Sequence, residues 1–382
     1  MELYIHLPFC RSKCRYCDFA SFTGCEQEME PYVDAVLQEL EDRISLVEEP
    51  VTSLFLGGGT PSILPPALLD RLLRGVRSRC HFSSDAEITS EANPGTLSRR
   101  WLDTATACGV NRLSLGMQAA QNELLKRLGR IHTLDDVVSS VLIARSAGIH
   151  NLNLDLMFGL PGQDIEMWHE TLQCALSLSP EHLSCYGLIP EDGTPLKALL
   201  DAGEITLPDE ETERAMYDSA IRNLQASGFI QYEISNFALP GFACRHNLGY
   251  WKRAHYLGLG VSAASMLPSQ VPGIDCVRET NPATLPGYLE MIRSHAPHLR
   301  ESEQVTEEES RFETLMLGLR MTEGIREQDF LHTHGISLMS WRGEALTRQR
   351  SLGTLECENG FWRLTRLGMD IQNTVLVDLM EP

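Results

Sequence analysis

The chain has 382 residues, 43% hydrophobic and 22% charged, ordinary proportions for a globular protein long enough for about two domains. Its formal charge of −20 leaves no broad positive field and so excludes a general nucleic-acid footprint. No run reaches the ~20 apolar residues of a membrane helix, and eleven cysteines without a basic-plus-apolar leader read as cytoplasmic thiols rather than a disulfide framework.

The first element, Leu3–Leu7, reads as a strand stopped by Pro8, and a loop carrying Cys10, Cys14 and Cys17 in C-x3-C-x2-C spacing follows it. Three thiols that close suit one soft metal centre. A [4Fe–4S] cube is commonly held by four cysteines, so three would leave one iron open to an exchangeable ligand. A zinc site completed by His6, Asp18 or Cys25, or three unrelated core thiols, are the competing readings.

Helical and strand patterns then alternate. Helices are predicted over Glu28–Val47, Pro65–Arg79, from Ser98, over Gln121–Leu128, Thr133–Ala147 and Glu166–Leu178. Between them fall strands at Val51–Leu56, Ala86–Ser90, Val110–Leu115, Asn151–Met157 and His182–Leu188. Six β/α units imply a parallel sheet: a partial (β/α)6 barrel of the triosephosphate-isomerase kind, or a doubly wound sheet. Either puts the working face at the C-terminal strand ends. Beyond Pro190 a helix is expected at Asp209–Ala226, a strand at Tyr232–Phe237, and a Gly- and aromatic-rich loop stretch at Pro240–Ser265. A helix at Phe312–Arg320 and a hairpin at Leu355–Leu364 suggest a small α/β module, winged-helix-like. The expected division is a barrel over 1–235, a connecting region over 236–300 and a C-terminal module over 301–382.

Several motifs fall at the predicted strand ends. Gly57-Gly58-Gly59-Thr60-Pro61 lets backbone approach a ligand, although a triple glycine alone is more often a tight turn. Glu91, Gln118 and Asp155 supply polar groups at or near strand ends. Arg130 follows a helix and could simply close its C-terminus. With Tyr4 and Tyr16 they make a plausible ring for a zwitterionic nucleoside on an apolar wall. Farther on, Cys244-Arg245-His246-Asn247-Leu248-Gly249-Tyr250-Trp251-Lys252-Arg253 gathers an imidazole, a thiol, aromatics and cations, the parts that ligate haem iron and pair with propionates.

YIHLPFCRSKCRYCDF, FLGGGTPS, EANPGT, SLGMQ with LGRIHT, NLDLMFGLPGQ and HLSCYGL together resemble the oxygen-independent coproporphyrinogen oxidase family of radical S-adenosylmethionine (SAM) proteins. QYEISNFA, CRHNLGYW and LMLGLR extend the resemblance over nearly the whole chain. Asp18 and Phe19 follow Cys17 where the dehydrogenase has a further cysteine, and its N-terminal extension is missing, so the chain is most similar to the family's haem-chaperone branch. The resemblance implies a [4Fe–4S] cluster on Cys10, Cys14 and Cys17, SAM contacts at Tyr4, Tyr16, Gly58, Gly59, Thr60, Glu91, Gln118, Arg130, Asp155 and Ile189, and haem at His246, with Cys244 as the other candidate ligand. It also implies haem transfer to acceptor proteins as the function, with oxidative decarboxylation of coproporphyrinogen III as the alternative.

Overall fold

Period-two and period-3.6 patterns alternate through the first half of the chain, and the computed structural model, which describes residues 1–380, folds them as strands and helices in turn. In order these are β1 (Glu2–Leu7), α1 (Met29–Asp42), β2 (Val51–Gly58), α2 (Pro66–Arg79), β3 (Phe82–Ala92), α3 (Arg99–Ala107), β4 (Arg112–Gln118), α4 (Asn122–Arg127), α5 (Leu134–Ser146), β5 (Asn151–Phe158), α6 (Ile165–Ser177) and β6 (His182–Gly187). α2 shows the logic. Leu69, Leu72, Leu73 and Val76 recur at helical spacing and are fully buried, each contributing about 1.5–3 kcal/mol of burial. Starts are capped where sequence allows: Ser98 accepts from Trp101 N, and Thr133 and Asp136 form a capping box.

β1 to β6 pair in sequence order, every pair parallel. Right-handed crossovers without a reversal of strand order put the helices on one side, which curls the sheet into the partial barrel and sets aside the doubly wound alternative, whose order reverses at a switch point. Alternate residues of β1 show the two faces: Leu3, Ile5 and Leu7 are buried in the main apolar core, while Tyr4 and His6 line the barrel lumen. The lumen wall gathers many polar groups, Ser53, Glu87, Glu91, Arg112, Ser114, Asn153, Asp155, His182 and Ser184, beside Tyr4, Phe55 and Met157.

The barrel does not close. After α7 (Pro195–Asp201) and α8 (Glu210–Ala226) come β7 (Ile230–Gln231), β8 (Asn236–Ala238), α9 (Arg245–Trp251), β9 (Tyr256–Leu259), β10 (Ala264–Pro268), β11 (Ile274–Thr280), α10 (Leu285–Arg293) and β12 (Glu301–Thr306). β8 and β7 extend the β6 edge and β9 to β12 the β1 edge, giving the order β12-β11-β10-β9-β1-β2-β3-β4-β5-β6-β8-β7. Residues 236–300 therefore widen the sheet instead of merely connecting. The strand expected at Tyr232–Phe237 is split into β7 and β8, and Pro240–Ser265 holds α9 and β9 where a loop was expected. Glu39 of α1, fully buried, ties this extension down: it accepts from Gly260 N (2.9 Å), Asn281 Nδ2 (2.9 Å), Tyr288 OH (2.8 Å) and Arg300 Nη2 (2.9 Å).

The last segment has α11 (Glu307–Gly318), β13 (Ile325–Arg326), α12 (Glu327–His334), α13 (Leu338–Ser351), β14 (Leu355–Glu358), β15 (Phe361–Leu364), α14 (Arg366–Asp370) and α15 (Gln372–Met380). Its small sheet runs β13-β15-β14, antiparallel, which with the preceding helices is a winged-helix arrangement. It packs around its own core, including Leu315, Phe330, Leu346, Trp362 and Val375. The module expected over 301–382 would take in β12, which belongs to the main sheet, and positions 381–382 lie outside the described residues. Among the described residues no helix is long and apolar enough to cross a membrane.

Candidate functional site

The cysteine loop leaves β1 at the C-terminal end of the sheet and is pinned at both sides. Cys10 N donates to Phe22 O (2.9 Å), Phe22 N to Pro8 O (2.7 Å), and Arg15 N to Leu128 O at the end of α4 (2.9 Å). All three thiols are free and face one cavity of about 350 Å³. Cys10 Sγ lies 3.5 Å from Thr60 Oγ1, and Arg130 Nη1 lies 3.4 Å from Cys14 Sγ. Burial pushes the Cys17 thiol up, with Cys14 and Cys10 adding to it. The zinc reading meets an obstacle in His6. Its Nε2 is 2.8 Å from Ala20 O and its Nδ1 3.0 Å from the Tyr4 hydroxyl, so both ring nitrogens are taken. Among the described residues no set of three His, Cys, Asp or Glu side chains is gathered tightly enough for a single ion.

Gly58, Gly59, Glu91, Gln118, Arg130, Asp155 and Tyr16 line the same cavity as the thiols. The glycines serve packing as well as access. A Cβ on Gly59 would lie 2.7 Å from Phe9 O, and one on Gly58, whose φ is +106°, would meet the His6 ring. The Gly motif therefore fits closely against the start of the cysteine loop. Gly58 N donates to Glu91 Oε2 (3.1 Å). Burial raises Glu91 to about 8, the neighbouring Asp155 pushing the same way against Gly58 N–H and Arg112. Asp155 is also raised by burial, although Ser114, Asn153, Arg112 and Ser184 oppose it. Gln118 has φ +60° next to a register shift in β4, and its buried Oε1 has no partner. Such backbone strain clusters at functional sites. Arg130 does not close a helix; its Nη2 holds Asn93 Oδ1 and Gly116 O, both at 2.8 Å, over the strand ends.

Four of the expected residues sit elsewhere. Tyr4 lines a second chamber, deeper in the lumen. Thr60 is buried behind Cys10, where it also takes a hydrogen bond from Asn93 Nδ2 (2.8 Å). Ile189 is 69% exposed and lines neither chamber, because the β6–α7 connection carries it out over the rim. His246 is not on a loop. It is on α9, 1% exposed, at the floor of the barrel. Its Nδ1 is 2.8 Å from Ser53 Oγ, its Nε2 is 3.0 Å from Tyr250 OH, and it stacks on Phe55 at 5.1 Å. Burial, aided by Arg112, takes its pKa down to about 3, so the imidazole is neutral. Cys244, also fully buried, has its thiol pushed up to about 12 by burial. The floor chamber, about 210 Å³, shares Glu91, Ser114, Asp155 and Tyr186 with the mouth cavity. Asn93, Ser114, Met157 and Tyr186 were not picked out from sequence; inward alternation on β4, β5 and β6 was the available signal for the last three.

Comparisons with known proteins agree with this geometry. Residues 4–175 match the radical SAM superfamily and residues 305–371 the HemN C-terminal domain. The "Heme chaperone HemW" of Bacillus subtilis (strain 168) is 38% identical over 337 residues, 88% of this chain and 87% of that protein. The Escherichia coli (strain K12) protein of the same name is 35% identical over 98% of this chain and 97% of its own length. The chain belongs to the HemW family. The coproporphyrinogen III oxidase HemN of Escherichia coli, described as a radical SAM enzyme, shares the fold with a TM-score of 0.83 at 24% identity, covering 99% of this chain and 89% of its own. Membership of the radical SAM superfamily implies a [4Fe–4S] cluster and SAM. The residues of this HemW-family chain fit both. Three free thiols share one cavity with an orphaned Gln118 Oε1, an unpartnered Arg130 Nε and two carboxyls whose pKa values burial raises, and the volume is in the range of small-molecule sites.

Proposed function

We propose that the protein is a cytoplasmic haem chaperone that binds haem and passes it to an acceptor protein, with a [4Fe–4S] cluster on Cys10, Cys14 and Cys17 and SAM at the open iron. The observation that carries the cofactor half is the single cavity shared by those thiols and Gly58, Gly59, Glu91, Gln118, Arg130 and Asp155 at the C-terminal strand ends. When bound, the cluster supplies one iron with an open coordination position. Arg130 holds the Cys14 sulfur and braces the strand ends, while Thr60 sets Cys10. Glu91 and Asp155 accept the cationic groups of SAM, Tyr16 and Gln118 border it, Tyr4 acts from below through His6, and Ile189 stays at the rim. Chaperone rather than decarboxylase is supported by Phe19, which lines the cavity where the decarboxylase has its extra cysteine. Haem is assigned to His246, and its recipients are unidentified proteins; no nucleic-acid partner is proposed.

Titration of the reconstituted protein with haem tests the assignment. His246→Ala is expected to weaken haem at least about tenfold and alter its spectrum, loss of an axial ligand doing both; an unchanged curve removes His246. Anaerobic incubation with dithionite, SAM and coproporphyrinogen III is expected to leave the porphyrinogen intact, and decarboxylated product would establish the enzyme instead.

The carboxyls give a pH signature. Glu91 is raised above its unfolded value of 4.5, so its contribution to stability is full below that value and is lost as pH climbs through about 8. A cation at Glu91 drives the proton off. SAM affinity is therefore expected to rise with pH between about 6.5 and 8.5, by up to roughly tenfold per unit, in equilibrium dialysis of the cluster-loaded protein. Glu91→Gln should flatten the profile. A parent profile that is already flat would remove Glu91 from the site.

A further inference from the structure

The guanidinium of Arg130 reaches the cysteine loop twice, once directly and once through two neutral side chains. Directly, Nη1 lies 3.4 Å from Cys14 Sγ. Indirectly, Nη2 donates to Asn93 Oδ1 at 2.8 Å, Asn93 Nδ2 donates to Thr60 Oγ1 at 2.8 Å, and Thr60 Oγ1 lies 3.5 Å from Cys10 Sγ. The direction of this chain is set at the arginine. A guanidinium has donors and no acceptor, so the Asn93 amide turns its oxygen to Arg130 and its NH2 to Thr60. The Thr60 oxygen is then taken as an acceptor, and a ligating thiolate carries no proton to give. The Thr60 hydroxyl proton is therefore the one left for Cys10 Sγ.

The backbone holds these side chains in register. Thr60 N donates to Phe9 O, one residue before Cys10, at 2.8 Å. Asn93 sits in a turn whose carbonyl accepts from Thr96 N at 3.1 Å and Thr96 Oγ1 at 2.6 Å. Thr60 is only 3% exposed, and in such surroundings successive hydrogen bonds polarise one another. Asn93, which no sequence motif singled out, is the link between the cation and the first cysteine.

We infer that Asn93 is a positioning residue that aims the Thr60 hydroxyl at Cys10, and that this relay, together with the direct Arg130 contact at Cys14, sets the reduction potential of the cluster. This rests on the placement of a cluster on Cys10, Cys14 and Cys17. Reduction adds one electron from an external low-potential donor, with no bond made or broken. Hydrogen bonds to cluster sulfurs are among the determinants of potential, and donors favour the more negative, reduced state. Loss of the relay therefore makes the cluster harder to reduce.

The test is a redox titration of the full chain, anaerobically reconstituted and free of SAM, followed by the EPR signal of the reduced cluster, with iron counted for every variant. Thr60→Val removes the hydroxyl at nearly constant volume. It is expected to keep about four irons and to lower the ratio of reduced to oxidised cluster at fixed potential about tenfold, a midpoint about 59 mV more negative. Thr60→Ser should keep the parent value. Asn93→Leu, which leaves the hydroxyl unaimed, should lower the ratio about threefold, and by less when added to Thr60→Val, as groups on one path do. Asn93→Asp, whose second oxygen draws the Thr60 proton away from Cys10, should lower it at least as much as Thr60→Val and carries the test if Thr60→Val holds no iron. A parent-like midpoint in Thr60→Val, or in Asn93→Asp where that variant stands in, overturns the relay's part in the potential, and additive effects of Asn93→Leu and Thr60→Val overturn Asn93 as the residue that aims it. A parent that never reaches about four irons removes the cluster reading itself, and the iron count shows this before any potential is measured.

Discussion

Alanine at Cys14 is expected to strip the protein of iron. Anaerobically reconstituted parent should carry about four irons per chain, the content of a cubane, and Cys14→Ala below one. The same loss is expected at Cys10 and Cys17, since a cube resting on two thiolates has no other thiol in reach: all three cysteines line one cavity and the remaining eight do not. Cys25→Ala is the contrast. Cys25 donates to Thr23 O on the outer side of the loop and should leave the iron unchanged. Neither folding nor haem should be lost with the iron, because the loop is held by backbone bonds to Phe22, Pro8 and Leu128 rather than by sulfur. About one zinc per chain in place of iron, or a Cys14→Ala protein that still holds about four irons, would overturn the cluster.

The parts of this arrangement that show in the sequence are those where local chemistry repeats. Strands such as Leu3–Leu7, a mostly apolar run, and Asn151–Met157, an alternating one, are closed by Pro or Gly, and their partners are parallel neighbours that need no information beyond order. The three cysteines are visible because their spacing is itself the signal. β11 and β12 are not visible in the same way. IDCVRET and ESEQVT look like solvated, charged loop, yet they pair antiparallel with Arg278 opposite Glu303, half exposed, where charges belong. The floor of the barrel is hidden for a different reason. Glu87, Arg112 and His182 stand in strands whose outward faces are apolar, and only the alternation of single polar residues marks the inner face. His246 shows the limit most clearly. Its neighbours in sequence suggest an open loop, while Ser53 and Glu87, which decide its surroundings, lie 193 and 159 residues away.

Arg112 gives the largest expected effect on stability. It opens β4, is 2% exposed, lines the floor chamber, and its buried Nε has no hydrogen-bond partner. Burial works against its charge, but Cys244, Glu87, Tyr232 and Asp155 together hold its pKa above the ordinary value. It in turn lowers the pKa values of Glu91 and Asp155 against their own burial. One cation thus compensates carboxylates from several strands. Arg112→Met keeps much of the side-chain stem and removes the charge, so the cost is electrostatic: about 3–5 kcal/mol, the range for leaving buried charge without its partner. The pH dependence separates this from a packing defect. Without Arg112 the carboxyls of Glu91 and Asp155 rise further, and an acid with a raised folded pKa loses its contribution as pH climbs through that pKa. The gap between parent and variant in urea unfolding should therefore widen from pH 6 to pH 9, with Glu91 in the parent crossing at about 8. A cost that is the same at both pH values would assign Arg112 to packing, and the polar lumen would then owe its stability to hydrogen bonds such as Asn153 to Asp155 and His182 to Asn153 rather than to charge.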